Sequence, residues 1–226
     1  MEEILLKYFP NVVTKMPEFY KCIQDTLVMV VWSGSIAIVM GAIIGILLIV
    51  TKKNGLLENI AVYQVADKLI NLFRSIPFII LLTGLMPLTR DIMGTAIGVE
   101  GAIVPLIFGT VPFFARQMES VLSEVSPGLV EAAKSMGVSK LEIIFDVYLK
   151  ESIPQITRAV SITLISLIGL TAMAGVVGAG GLGDFAVRYG HDRNQTDVTY
   201  ATIIVLVIMV SMIQVAGNQL AKKNTN

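Results

Sequence analysis

The chain has 226 residues, 54% of them hydrophobic and only 15% charged, with a mean hydropathy of +0.76; soluble domains carry roughly 25% charged residues, so an ordinary soluble fold is excluded. Lys plus Arg number 17 and Asp plus Glu number 17, which leaves no net field to attract nucleic acid or an acidic substrate. A single cysteine, Cys22, excludes an internal disulfide framework and a cysteine-rich zinc site, and a single histidine, His191, excludes chemistry that needs two.

Taken in chain order, residues 1–25 read as an extracytoplasmic or interfacial segment, in which 4–9, closed by Pro10, form either a short interfacial helix or a frayed tail. Residues 26–51 contain no charge and exceed the roughly 20 apolar residues needed to cross about 30 Å of hydrocarbon. They are too long for a signal-peptide core and lack a small-residue cleavage site, so they stay as a first span at about 26–50. A second span at about 69–87 carries Arg74 near one end and is kinked by Pro77. A third, about 92–115, carries Glu100, an interfacial charge or a functional one, and is kinked by Pro105 and Pro112. Spans four (about 159–183) and five (about 198–221) are free of charge, and 222–226 form a tail.

The architecture expected is an all-α integral membrane protein with five transmembrane helices. Residues 51–68, 116–158 and the tail hold the larger share of Lys and Arg, so the positive-inside rule places the N-terminus outside and Lys222 and Lys223 in the cytoplasm. Small residues one turn apart, Gly41/Gly45, Ala174/Gly178 and Gly175/Ala179, predict close helix contacts within the subunit or with a second copy. Asp67, Asn71 and Arg74 share a helix face that contacts a partner, lines an inner mouth or closes an Asp67/Arg74 charge network.

The loop 117–157 is too long for a plain connection. Ser126 and Pro127 start a helix that Gly137 stops, and Ser139-Lys140-Leu141-Glu142 has capping-box spacing, so a second helix follows at once and runs to about Glu151. Leu129, Ala132, Ala133 and Met136 form one stripe with Glu131 beside it; Leu141, Ile144, Phe145 and Tyr148 form another. Such a hairpin either packs beneath its own bundle or docks on a partner.

Glu131-Ala132-Ala133, Gly137, Val147 and Leu149, at this spacing, resemble the cytoplasmic signature loop of permease subunits of bacterial ABC importers, the binding-protein-dependent inner membrane component family. Lys150 stands where that family usually has Pro, and Pro154 supplies the delayed stop. Residues 71–78 (Asn-Leu-Phe-Arg-Ser-Ile-Pro-Phe), 112–116 (Pro-Phe-Phe-Ala-Arg) and 178–183 (Gly-Ala-Gly-Gly-Leu-Gly) look particularly like methionine importers, and the likeness covers most of the chain beyond its first twenty or so residues. The resemblance implies a non-catalytic permease in the cytoplasmic membrane, assembled as a homodimer with two cytoplasmic ATPase subunits and an extracytoplasmic substrate-binding protein. It implies that Glu131, Ala132, Ala133, Gly137, Val138, Ser139 and Leu141 couple to the ATPase. No cofactor is expected on this chain, with ATP and Mg on the ATPase; the sequence has no Gly-x-x-x-x-Gly-Lys-Ser/Thr loop.

Gly178, Gly180 and Gly183 match a dinucleotide fingerprint formally, yet they close an apolar block with no strand before them, so they read instead as an unwound or tightly packed outer end of span four. By resemblance, 178–183 lie near the outer end of the pathway, with Gly181 among them. Thr163, Ser166, Leu170 and Met173 share one helical face, either lining the pathway with Met173 as an apolar gate or packing in the core. One His beside Asp192 makes no metal site, and the outer loop 184–197 is expected to meet the binding protein. The leading reading is a methionine importer permease; alternatives are a permease for another amino acid such as cystine, or a secondary transporter, which lacks the intramembrane ionisable residues that ion coupling requires.

Overall fold

A computed structural model of the chain describes residues 7–223, and among these every regular element is a helix. In chain order they are α1 (Pro10–Val13), α2 (Met16–Thr51), α3 (Ile60–Ser75), α4 (Phe78–Gly84), α5 (Met86–Met93), α6 (Gly98–Ser123), α7 (Pro127–Ser135) and α8 (Lys140–Glu142). A π-helix, Ile143–Leu149, extends α8. There follow α9 (Ile153–Ala174) with a π-helical end (Gly175–Ala179), α10 (Gly181–Phe185) extended by the π-helix Ala186–His191, and α11 (Thr196–Lys223).

Among the described residues four helices are long and apolar enough to cross a membrane: Met16–Thr51, Gly98–Ser123, Ile153–Ala179 and Thr196–Lys223. They overlap four of the five expected blocks; the fourth span, expected at 159–183, begins at Ile153 and ends at Ala179. The remaining block, 69–87, is not one helix. Pro77 adopts φ −56°, ψ 135°, which ends α3 at Ser75 and begins α4, because proline forbids the residue before it the helical region and offers no N–H of its own. α3 is amphipathic: Ile70 is buried while Val62, Val65, Leu69 and Leu72 stand exposed along one face.

The other boundaries also move. At 36 residues α2 is about 54 Å long, well beyond the hydrocarbon thickness, so the charged turns at Glu18, Lys21 and Asp25 belong to the first helix rather than to a separate N-terminal segment. Of the expected helix at 4–9, residues 4–6 lie outside the described residues; Lys7 and Tyr8 are helical, and Pro10 opens α1 rather than closing a helix. Residues 92 and 93 belong to α5, which ends on Gly94 at φ +75°, and the expected third span begins only at Gly98. α6 then continues through Pro105 and Pro112 without interruption and past residue 115 to Ser123.

The chain forms two compact units. One contains the described residues through Ile36, with Ile76–Gly109 and Leu164–Ile213; the other contains Ala37–Ser75, Thr110–Thr163 and the residues from Gln214. In the first, Met29, Leu82, Leu106 and Leu167 form one core and Phe19, Leu182, Phe185 and Val198 a second, with the Phe19 and Phe185 rings 5.2 Å apart. In the second, Phe114, Met118 and Leu122 of α6 pack on Ile49, Val130, Ala133 and Ile143. Close approach of α2 to α6 depends on Gly45, where a Cβ would lie 2.4 Å from Met118 Cβ and 2.8 Å from the Ala115 carbonyl oxygen; the expected Gly41/Gly45 contact is thus within the subunit. Several hydroxyls inside the helices donate to carbonyls one turn back, Thr163 to Ala159 at 2.8 Å and Thr202 to Val198 at 2.9 Å, whereas the buried hydroxyls of Thr89 and Thr110 have no hydrogen-bond partner among the described residues.

Because Phe114 is fully buried at the centre of the second unit's core, Phe114→Ala is expected to destabilise the protein by about 3–5 kcal/mol. Thermal unfolding of the purified chain in detergent checks this through a lowered midpoint.

Candidate coupling hairpin and outer turn

The hairpin forms as its residues dictate. Ser126 occupies the N-cap position of α7, though its side chain makes no capping bond, and Pro127 fills the first turn. α7 ends at Gly137, whose φ of +77° only glycine adopts without strain; its N–H donates to the Lys134 carbonyl at 3.0 Å, and Val138 N–H donates to Ala133 at 3.1 Å. Ser139 then caps α8. Glu142 N–H donates to Ser139 Oγ at 3.3 Å and Ser139 N–H donates to Glu142 Oε2 at 3.0 Å, a complete capping box. Hydrogen bonding to the carboxyl from Ser139, its hydroxyl first and its backbone N–H second, holds Glu142 below its ordinary value.

The two stripes read from the sequence separate into an inner and an outer face. Ala133, with Val130, Ile143 and Ile144, is buried against the ends of α2 and α6, and Val138, Val147, Tyr148 and Leu149 are half-buried beside them. Leu129, Ala132, Met136, Leu141 and Phe145 face out, Met136 being 75% and Leu141 66% exposed. Glu131 is also exposed. The helix carries on through Lys150, which pairs with Asp146 at 2.5 Å, and turns at Ser152; Pro154 sits in the first turn of α9 and starts that helix rather than stopping the one before it.

Asp67 is paired, but not with Arg74. Arg116 on α6 donates to Asp67 Oδ1 at 2.6 Å and to Asn71 Oδ1 at 3.1 Å and also binds Glu119, while Tyr63 donates to Glu119 at 3.3 Å. Arg74 is exposed. The sequence marked Arg116 as the last residue of the family-like stretch 112–116 and as a basic residue at a span end, but not as a partner of Asp67; the one local signal of its pairing was Glu119 three residues on.

In the first unit, α9 unwinds where the glycines cluster: Val177 and Gly178 leave the helical region, Gly178 with φ +92°, and Gly180 adopts φ +78°, ψ −160°. The chain then doubles back, so that a Cβ on Gly183 would lie 2.2 Å from the Ala172 carbonyl oxygen. Thr26 fixes the turn. Its hydroxyl donates to the Cys22 carbonyl at 3.0 Å and accepts Leu182 N–H at 2.9 Å. Gly178, Gly180 and Gly181 line an open cleft of about 710 Å³ together with Glu18, Lys21, Asp25 and Arg188. Gly183 and Met173 line a separate apolar groove of about 300 Å³. Of the remaining pathway candidates, Ser166 and Met173 are exposed, Leu170 is half-buried and packs in the core, and Thr163 is fully buried.

The segment expected to be an outer loop is largely helical. Arg188 binds Asp184 at 2.6 Å and Glu18 at 2.9 Å, and these acids, Asp184 foremost, push its pKa further up. Tyr189 donates to Glu18 at 2.8 Å, which raises the phenol's pKa, and the cations of Lys15, Arg188 and Arg193 lie 4.7–5.1 Å from its ring centre. His191 is exposed, and no group of three or more potential metal ligands occurs among the described residues. Glu100 is exposed in the first turn of α6, where a carboxylate offsets the helix dipole.

A model of the family described as the binding-protein-dependent transport system inner membrane component matches residues 37–222. The chain belongs to this family. It is 45% identical over 199 residues to a probable D-methionine transport system permease protein MetI of Vibrio cholerae, covering 88% of each chain. It is 42% identical over 212 residues to the methionine import system permease protein MetP of Bacillus subtilis, covering 94% of this chain and 95% of the relative. Its fold matches a solved structure described as an inward-facing conformation of the MetNI methionine ABC transporter with a TM-score of 0.90, at 40% identity, over 94% of this chain and 99% of that one. The family and the four apolar helices make this a multi-pass protein of the bacterial cytoplasmic membrane. The family match takes in the hairpin, Arg116 and the glycine turn, and begins after Thr26.

The depressed Glu142 carboxyl gives the hairpin a pH dependence of definite sign. Its contribution is present above the unfolded value of about 4.3 and is lost as pH falls through the lower folded value. Amide exchange at Glu142 is expected to lose protection in that acid range. At neutral pH, Ser139→Ala is expected to weaken that protection about fivefold, corresponding to about 1 kcal/mol for a lost N-cap.

Proposed function

We propose that this chain is the permease subunit of an ATP-binding cassette importer that carries methionine across the cytoplasmic membrane. The observation that carries the reading is the hairpin, which presents Glu131, Ala132, Met136 and Leu141 outward while burying Ala133 and Ile143 on the span ends. The methionine transport named for relatives at 42% and 45% identity supplies the substrate. Two copies form the pathway, two cytoplasmic ATPases bind the hairpins, and an extracytoplasmic binding protein delivers the amino acid. ATP and Mg belong to the ATPases. The N-terminus lies outside and Lys222 and Lys223 inside, with the broken segment through α3, α4 and α5 as the fifth crossing.

Coupling is mechanical. An ATPase groove receives the outer face of the hairpin, with Gly137 forming the corner and the Ser139 cap fixing the entry of α8. When the ATPases close on ATP, the hairpin moves as a body. Its buried face transmits the displacement to α2, α6 and α9, whose residues Ile49, Leu122 and Ala159 share its core. Packed helices have few alternative arrangements, so a small movement at their ends switches the spans between inward-open and outward-open states. Ser166 and Met173 face the pathway, with Met173 as its apolar gate, and the glycine turn 178–183 shapes its outer mouth.

The test is ATP-dependent uptake of labelled L-methionine into vesicles containing this chain with its ATPase and binding protein, in competition with D-methionine, cystine and unrelated amino acids. Saturable uptake suppressed mainly by methionine isomers is expected. Uptake of another amino acid overturns the substrate, and uptake indifferent to ATP overturns the mechanism. Gly137→Pro, which imposes φ near −65° and removes the N–H bonded to Lys134, is expected to abolish uptake while the protein still inserts in the membrane.

A further inference from the structure

A basic cleft of about 250 Å³ lies in the second unit beside the hairpin, whose Glu131 and Lys134 form part of its wall. Its walls include Ile49 near the C-terminal end of α2 and Leu122 and Ser123 at the end of α6. Both helices belong to the set long and apolar enough to cross the membrane, and Lys52 and Lys53 directly follow the uncharged stretch 26–51, which puts the cleft at the polar end of the α2 span. Lys52, Lys53 and Lys134 line it, and among the described residues none of the three has an ion-pair partner. Lys52 and Lys53 are held there by a tight turn. Asn54 adopts φ +63°, Gly55 N–H donates to the Lys52 carbonyl at 2.9 Å, and Leu57 N–H returns to Val50 at 2.8 Å.

Three ammonium groups at one cleft repel each other unless an anion sits among them. Glu131 also lines the cleft, and the C-termini of α2 and α6 each contribute about half a negative charge; together these only partly offset the lysines. Tyr148, half-buried on the wall, has a phenol whose pKa burial pushes up, so it stays protonated and able to donate a hydrogen bond. The rest of the wall is Asn54 and the apolar Val125, Pro127 and Val130. Cations, a neutral donor and apolar surface at a span boundary match a phosphate diester carrying acyl chains.

We propose that this cleft binds the phosphate of an anionic phospholipid in the leaflet at which α2 and α6 end. The lysines neutralise the phosphate, Tyr148 donates to it, and the lipid ties α7 to the membrane surface through Lys134. This rests on the membrane location of the chain and not on its substrate, so a failure of methionine uptake leaves it standing.

The experiment exchanges the purified full-length chain into mixed vesicles of phosphatidylcholine and phosphatidylglycerol and measures the retained lipids by native mass spectrometry. Preferential retention of phosphatidylglycerol is expected, weakened about fivefold for each lysine converted to Gln at positions 52, 53 and 134, and on the order of a hundredfold in the triple variant. Lys222→Gln/Lys223→Gln is the control and is expected to change the retention little. Glu131→Gln, which removes the opposing carboxylate without taking away a cation, is expected to tighten retention, a gain that a misfolded variant cannot mimic. Retention unchanged in the triple variant, or equal retention of phosphatidylcholine, overturns the proposal. Displacement of the lipid by inorganic phosphate assigns the cleft to a soluble anion and overturns it as well, as does protection of the three lysines from acylation only when the ATPase is bound.

Discussion

The structure of the second unit depends on burial of one face of a short hairpin against the ends of α2 and α6. Val130, Ala133, Ile143 and Ile144 share a core with Ile49, Met118 and Leu122. In a bilayer the hydrophobic effect does little to hold helices to each other, since lipid is as apolar as leucine. The apolar inner face of the hairpin, beyond the uncharged blocks, is by contrast removed from water and gains the ordinary stabilisation of roughly 25 cal/mol per Å². One face of the hairpin is therefore fixed to the span ends, while Leu129, Met136, Leu141 and Phe145 on the other remain exposed.

The glycine turn of the first unit solves a different problem with similar means. Where α9 unwinds, backbone groups leave the helical ladder and need partners. Thr26 supplies one by accepting Leu182 N–H while bonding back to its own helix at Cys22. Glycines supply the rest by allowing positive φ at 178, 180 and 181 and close contact at 183. Beside this turn Glu18, Asp184, Arg188 and Tyr189 form a bonded cluster that keeps the start of α2 against the segment after α10. The charges in the first turns of α2 thus join elements distant in sequence, which is why the helix extends well beyond a membrane's thickness.

Much of this was legible because it is local. Ser139 and Glu142 at capping-box spacing, Gly137 as a stop and Pro127 as a start are short-range signals, and each has the role its chemistry dictates. The apolar blocks were legible for the same reason, since length and lack of charge suffice to name a span. What escaped were features that need a neighbour. Charges make good fences for a hydropathy block but do not stop a helix, so α2 starts ten residues before its first expected position and α6 runs past Arg116. Pro77 read as a kink, but it separates two helices. The expected Asp67/Arg74 network failed because Arg116, remote in sequence, lies closer to Asp67. Within the hairpin, periodicity identified apolar positions but could not divide them between inside and outside, and so placed Ala132 and Ala133 together where the structure turns one out and the other in.

The central claim is that the free face of the hairpin is the surface the ATPase covers. Met136 is the most direct reporter, being 75% exposed at the corner beside Gly137. The measurement is the rate of maleimide labelling of a Met136→Cys variant carrying Cys22→Ala, taken first on the chain alone and then in the complete transporter. Rapid labelling of the chain alone and strong protection once the ATPase is bound are the results this account predicts. Equal labelling in both states would contradict it, because a corner that remains open to solvent in the working complex transmits no force.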